Sequence, residues 1–128
     1  MTSETSNWWK KSEGDYRTMR REAIADPPNY DAVCFHAQQC IEKLLKAVLI
    51  EHNIPPPYTH NLPLLADLLE SKSLQALMKD LELLSLYAVG IRYPLEFASK
   101  MEAEEAIEVC IRIRKILLSN LGIPDLFE

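Results

Sequence analysis

The stretch between Asn29 and Glu51 constrains the fold more than any other part of the chain, because its apolar residues recur at helical spacing over about six turns. These residues are Val33, Ala37, Cys40, Ile41, Leu44, Leu45 and Val48. An apolar face this broad needs more than one neighbouring element to cover it. We therefore predict a central core helix that reaches about Glu51, with Asn29 or Asp31 as its N-cap.

Further helical patterns flank this one, and prolines or short polar runs separate them. The patterns predict helices over about 8–25, 62–70, 74–89 and 100–121. The first stops before Asp26-Pro27-Pro28, and the last opens with a capping box from Ser99 to Glu102 and closes at Gly122. We expect an all-α protein, an antiparallel up-and-down four-helix bundle with an additional short helix, in a single domain over residues 1–128.

The composition bounds the range of functions. The chain has 14 Lys+Arg against 19 Asp+Glu and a net charge of -5, which argues against a broad electrostatic grip on nucleic acid and leaves a local basic patch open. The three cysteines have no CxxC spacing and lie in apolar segments, so we predict reduced core thiols. No apolar run has the roughly 20 residues of a membrane span. We expect a cytoplasmic protein without membrane contact.

Several chemistries have no matching motif in the sequence. Gly14, Gly90 and Gly122 are isolated, so no glycine-rich phosphate loop is present. The three histidines lack the spacing of metal ligands. Three neighbouring glutamates, Glu104, Glu105 and Glu108, fit a solvated helix face. We therefore predict neither a cofactor nor a metal.

A polar stripe on the second helix is the first candidate site. His36, Gln39 and Lys43 follow one another at i, i+3 and i+7 beside the apolar face. Phe35 stands among residues predicted to point outward, which are Gln38, Gln39, Glu42 and Lys46. The stripe is either an ordinary helix surface, with Phe35 under a loop, or a polar groove beside a protein contact.

The second candidate site is the segment Arg92-Tyr93-Pro94. Arg92 continues the line of Leu74 and Leu81 toward the core side of its helix, so its cation needs a partner. One interpretation is a structural clasp on a carboxylate such as Asp15 or Glu42. The other is a cleft in which the Arg92 fork grips a phosphate and the Tyr93 ring stacks on a base.

The last helix bears on assembly, because its polar residues occupy only about a third of its circumference. Its apolar residues are Met101, Ile107, Val109, Cys110, Ile111, Ile113, Ile116, Leu117 and Leu118. This excess predicts a second buried surface, which a homodimer would supply. The alternative is a helix that is central within its own monomer.

Three phrases resemble the HEPN domain family: FHAQQCIEKLLKAVL from Phe35, YTHNLPLL from Tyr58, and Arg92-Tyr93-Pro94. The resemblance implies an all-α bundle, usually a homodimer, often encoded beside a minimal nucleotidyltransferase in a toxin–antitoxin pair. Catalytic members of the family are metal-independent endoribonucleases with an Arg-x4-6-His motif. Arg92 matches the arginine, but residues 93–99 contain no histidine.

These observations favour a non-catalytic HEPN module that binds a nucleotide, RNA or a nucleotidyltransferase partner around Arg92. The ligand-binding candidates are Arg92, Tyr93, His36, Gln39 and Lys43. One alternative is a ribonuclease toxin that uses Arg92 with a relocated base, for which His36 or His60 would have to lie nearby. The other is a purely structural interaction protein.

Overall fold

The computed structural model describes residues 1–88 and 96–125, and these residues form helices without any strand. The helices are α1 Ser3–Ile24, α2 Tyr30–Glu51, α3 Leu62–Asp67, α4 Lys72–Gln75, α5 Met78–Ser85 and α6 Lys100–Leu121. The predicted all-α helical bundle is confirmed.

Helix α2 is the centre of the bundle, as its apolar pattern predicts. It packs against both α1 and α6, and Val33, Ile41 and Leu44 are completely buried. The Asn29 side chain caps the helix by accepting from the Ala32 amide at 3.1 Å. Asp31, the other cap candidate, instead accepts from the Ala98 amide at 2.7 Å. That bond fixes the chain just before α6 against the first turn of α2.

Helix α1 begins five residues earlier than predicted. Its cap is Thr2, whose Oγ1 accepts from the Thr5 amide at 3.1 Å, and Thr5 itself is buried. The apolar pattern missed this turn because residues 2–7 are all polar. The buried face of α1 also includes Ser12, whose hydroxyl donates to the Cys40 carbonyl of α2 at 2.8 Å.

The helix predicted over 74–89 is divided into the short helices α4 and α5. The Ser71 hydroxyl caps α4, and the Leu77 amide bonds back to the Leu74 carbonyl at 2.9 Å. Leu74 and Leu81 remain completely buried on either side of the break. The apolar spacing therefore predicts which leucines are buried but does not reveal the interruption between them.

Helix α6 has the predicted ends. Ser99 and Glu102 form a reciprocal capping box, and Gly122 closes the helix at φ 69°, in the left-handed region that glycine adopts without strain.

The apolar circumference of α6 is largely covered within the monomer. Val109, Cys110, Ile113, Leu117 and Leu118 are buried. Ile107, Ile111 and Ile116 are partly buried against the same core. Met101 is 77% exposed. The alternative of a helix central in its own monomer thus accounts for most of the pattern that suggested a homodimer.

Across 1–88 and 96–125, no helix is both long and apolar enough to cross a membrane.

Candidate functional site

Asp15 of α1 joins two of the sequence-predicted site residues on α2. His36 Nδ1 lies 2.8 Å from Asp15 Oδ1, and Lys43 Nζ lies 2.6 Å from Asp15 Oδ2. The Asp15 side chain is only 9% exposed, whereas those of His36 and Lys43 are about one quarter exposed. The predicted spacing of His36 and Lys43 therefore places both on one buried carboxylate.

A second cluster of the same composition surrounds Glu42. His60 Nδ1 lies 2.7 Å from Glu42 Oε1, and Lys46 Nζ lies 3.1 Å from Glu42 Oε2. Gln38 also donates to Oε1 at 3.1 Å. Burial alone would raise the pKa of Glu42, but the hydrogen bonds from His60, Gln38 and Lys46 outweigh it and lower the pKa below its ordinary value. Glu42 is therefore ionised at neutral pH.

The prediction that Gln38, Glu42 and Lys46 point outward is wrong, since all three are buried. The loop before α3 covers Gln38, whose amide donates to the His60 carbonyl at 3.3 Å. The Trp8 ring of α1 covers Lys46 at 5.4 Å from the Nζ atom. A contact between segments so far apart in sequence is invisible to helix periodicity.

Gln39, the third member of the predicted stripe, belongs to the second cluster. Its Nε2 atom donates to Gln38 Oε1 at 2.7 Å. The stripe is therefore divided, with His36 and Lys43 on Asp15 and Gln39 beside the Glu42 cluster.

Both histidines are oriented in the same way by their carboxylates. In its neutral form, a histidine that donates its Nδ1 proton to a carboxylate keeps the lone pair on Nε2. Nε2 of His36 and Nε2 of His60 make no hydrogen bond to any part of the chain that the structure describes. The His60 side chain is 60% exposed and that of His36 is 27% exposed. Each ring thus presents an accepting nitrogen on the side away from its carboxylate.

A pocket of about 960 Å³ opens beside His36. It lies among the end of α1, the first turns of α2 and the chain just before α6. Its lining residues are Glu22, Pro27, Pro28, Asn29, Tyr30, Asp31, Ala32, Phe35, His36, Phe97 and Ala98. We call it the α2 pocket. Phe35 is half-buried and meets the His36 ring edge-on, with centroids 5.2 Å apart.

The α2 pocket has aromatic walls and acidic rather than basic edges. Tyr30, Phe35 and Phe97 supply rings, whereas the charged lining residues in the described ranges are Glu22 and Asp31. Aromatic rings suit a flat, uncharged group such as a nucleobase. A phosphate would need a cation from elsewhere.

The remaining sequence-predicted site residues, Arg92 and Tyr93, lie outside the described residues. The two carboxylates considered as partners for an Arg92 clasp already have others. Asp15 holds His36 and Lys43, and Glu42 holds His60 and Lys46. Neither carboxylate requires Arg92 to be neutralised.

A buried arginine that sequence analysis missed lies on α6. Arg114 is 2% exposed and bonds Glu13 of α1 at 2.7 Å and Asp125 at 2.6 Å, while its guanidinium lies 4.0 Å from the centroid of the Tyr16 ring. Burial alone would lower the pKa of Arg114, but the hydrogen bonds to Asp125 and Glu13 raise it. Helical spacing could have revealed the burial of Arg114, because it follows Cys110 by four residues and precedes Leu117 by three. Both of these residues lie on the buried face of α6.

No group of three or more His, Cys, Asp or Glu side chains within the two described ranges is arranged to hold a metal ion. The cysteines Cys34, Cys40 and Cys110 are buried, and none of them forms a disulfide bond.

A search of curated proteins finds no match. The crystal structure of TT1696 from Thermus thermophilus is similar, with a TM-score of 0.73 and 21% identity, over 93% of this chain and 99% of that chain. At this identity the likeness shows the fold alone. The family model of the HEPN domain matches residues 5–121. The chain therefore belongs to the HEPN domain family.

Proposed function

We propose that this chain works as a single HEPN module that binds a nucleotide or an RNA end without cleaving it, in a toxin–antitoxin-like system. The observation that carries the proposal is the α2 pocket, in which Tyr30, Phe35 and Phe97 surround a space of about 960 Å³ next to His36. Ligand pockets of small molecules have volumes of this order. Their aromatic walls match a nucleobase, which has two apolar faces.

His36 is the polar group that would orient the base. Its Nδ1 atom is held by Asp15, so the free Nε2 lone pair accepts from an exocyclic amino group or a ribose hydroxyl. Lys43 holds the other oxygen of Asp15 and thereby keeps the carboxylate in place. Gln39 would contribute only indirectly, through its hydrogen bond to Gln38.

The phosphate is assigned to Arg92, and the assignment rests on the sequence alone. The described lining of the α2 pocket includes two carboxylates, Glu22 and Asp31, and neither lysine nor arginine, so it favours the base over the phosphate. Arg92 precedes the lining residue Phe97 by five positions. A guanidinium fork binds a phosphate in a bidentate manner, and Tyr93 would add a second ring.

Isothermal titration with a nucleoside and its 5′-monophosphate tests this division of roles. Phe35→Ser should weaken both ligands, because it removes a wall of the pocket. Arg92→Lys should weaken only the monophosphate, because an ammonium cannot reproduce the fork. Tyr58→Ser, which removes an exposed aromatic side chain outside the α2 pocket, is the matched control and should change neither. Wild-type protein that binds no member of a nucleotide panel and no short RNA would refute the proposal.

A ribonuclease with a relocated base is the second candidate, because both histidines are oriented for proton abstraction. His36 and His60 each have Nδ1 on a buried carboxylate and a free Nε2, which is the arrangement of a histidine general base. Incubation with labelled RNA in chelator decides between the candidates. Cleavage that leaves cyclic-phosphate ends and is lost in Arg92→Ala and in either His36→Ala or His60→Ala would establish the ribonuclease.

Association with other proteins is a further part of the proposal. We expect a homodimer and, by the resemblance to the family, a minimal nucleotidyltransferase partner. Co-expression with the product of any adjacent nucleotidyltransferase gene, followed by co-purification, tests the partner. A chain that forms either complex but binds no nucleotide would instead be a purely structural interaction protein.

A further inference from the structure

The outward face of α1 carries an unbalanced positive charge in a protein that is acidic as a whole. Lys10, Lys11, Arg17, Arg20 and Arg21 are all exposed. The segment 10–21 therefore holds five of the 14 Lys+Arg of a chain whose net charge is -5. Three of these residues, Lys10, Arg17 and Arg21, lie within about 40° of one another on the helix wheel and extend over about 16 Å. We call these three residues the α1 stripe.

The acidic residues of the same segment do not neutralise the stripe, because they face inward and are occupied. Glu13 pairs with the buried Arg114 at 2.7 Å. Asp15 pairs with His36 and Lys43 of α2. The five exposed cations make no salt bridge with any described residue. Lys11 instead lies over the Trp8 ring, Arg20 donates to the Tyr16 hydroxyl and Arg21 to the Thr18 hydroxyl.

The charges of the stripe also destabilise helix α1 itself. Arg17 and Arg21 are like charges at i and i+4, which is a destabilising arrangement on a helix. The helix dipole favours Arg21 in the last turn but not Lys10 or Arg17 in the middle. Gly14 lies between them on the same side, and a Cβ atom added there would meet nothing within 4 Å. No packing requirement of the monomer explains this glycine or these charges.

We infer that the α1 stripe binds the phosphate backbone of a polynucleotide. Exposed and aligned cations without ion-pair partners displace the counterions that are condensed on a polyanion. Binding of this kind requires no apolar contact. The stripe contains no apolar side chain, whereas a stable protein interface has a buried apolar core. A membrane surface fits less well, because the apolar face of α1, including Tyr16 and Met19, is already buried in the bundle.

This site is separate from the α2 pocket and does not depend on it. Residues opposite the stripe, such as Met19, point into the core. The pocket is lined from α1 only by Glu22. The pocket recognises a base and the stripe a backbone without sequence preference. Binding of a mononucleotide should therefore be unaffected by loss of the stripe.

The test compares two variants with the same net charge. The stripe variant is Lys10→Gln, Arg17→Gln and Arg21→Gln. The control variant is Lys72→Gln, Lys79→Gln and Lys100→Gln, whose three lysines are exposed on other helices. Fluorescence anisotropy of a labelled short oligouridylate, and of the DNA of matching length, is measured over a range of salt concentrations. Circular dichroism checks that both variants are folded.

The wild type and the control variant should bind with an affinity that falls as salt rises. In the stripe variant the slope of log K against log salt should be smaller by about 2, because three contacts each contribute about 0.7 for a single strand. Equal binding of RNA and DNA supports a backbone site. Equal losses of oligonucleotide affinity in the stripe variant and the control variant would overturn the inference. A stripe-dependent affinity for phosphatidylserine vesicles without affinity for the oligonucleotides would also overturn it and assign the stripe to a membrane surface.

Discussion

Arg114 should be the most important charged residue for stability, and Arg112 on the same helix provides its control. Arg114 is 2% exposed and pairs with Glu13 and Asp125, whose side chains are 13% and 10% exposed. The Arg112 side chain is 50% exposed and pairs with Asp80 at 3.2 Å. Arg114→Met keeps an apolar stem and removes the charge, so two largely buried carboxylates lose the guanidinium that they share.

The expected losses differ by several kcal/mol. Removing one partner of a buried ion pair costs about 3–5 kcal/mol, whereas an exposed pair contributes about 0–1 kcal/mol. The entropy of unfolding is about 2.1 cal/mol/K per residue, or about 270 cal/mol/K for 128 residues. Arg114→Met should therefore lower Tm by about 11–19 °C, and Arg112→Met by less than about 4 °C.

Urea denaturation and thermal melts at neutral pH measure both variants. If Arg114→Met leaves a folded protein, the added substitutions Glu13→Gln and Asp125→Asn should recover much of the lost stability, because neither position then carries a buried charge that has lost its guanidinium. Equal losses of stability for Arg114→Met and Arg112→Met would refute the expected difference. So would a triple variant that is no more stable than Arg114→Met.

Two other substitutions test single features of the fold. Gly14→Ala should stabilise the protein by about 0.5–1 kcal/mol, because alanine is the better helix former and the added Cβ has open space around it; a lower Tm would contradict this. The pKa of Glu42 is depressed from 4.5 in the folded state, so its contribution to stability is fully present above about pH 4.5 and is lost as pH falls through the folded pKa. Glu42→Gln should flatten that part of the curve of urea midpoint against pH, and parallel curves for wild type and variant would contradict it.

The sequence predicts those parts of the fold that depend on local spacing and capping. The spacing of Val33, Ile41 and Leu44 on α2 is enough to identify the central helix, and Ser99 and Gly122 mark the ends of α6 because caps have local chemical signatures. The break between α4 and α5 was missed because apolar spacing is preserved across it. Boundaries without a cap or a proline are weakly encoded in a single sequence.

The candidate site is only partly predictable for a different reason. His36 and Lys43 share a helix face, so periodicity groups them. Asp15, which holds both, comes from another helix, and its distance in sequence from Lys43 is 28 residues. The outward prediction for Glu42 and Lys46 is wrong because a loop and a tryptophan from other segments cover them. Periodicity reports which residues share a face, and the packing of other elements decides whether that face is exposed.

Three apolar side chains that remain exposed in the monomer indicate where a homodimer would form. Leu86 is 75% exposed, Phe97 76% and Met101 77%. The Tyr87 hydroxyl donates to Glu102 Oε2 at 3.4 Å, so the chain just after α5 lies beside the first turn of α6. Contact with a second copy is the simplest way to cover apolar residues that lie on neighbouring elements. We expect this region, rather than the middle of α6, to contribute to the dimer.

A single charge in this region tests the expectation. Met101→Glu should weaken association by several kcal/mol, or about a hundredfold or more in Kd, because the carboxylate would be buried without a partner. Ser119→Glu adds the same charge at an exposed position near the other end of the same helix and should leave Kd nearly unchanged. Light scattering and analytical ultracentrifugation at micromolar concentration measure both. A wild-type protein that is monomeric under these conditions removes the dimer hypothesis, and equal weakening by the two variants places the interface elsewhere.

Because the α2 pocket is lined by Phe97, a dimer formed through this region should also alter nucleotide affinity. Met101→Glu should then change the Kd of the dimer and the affinity for the nucleotide together.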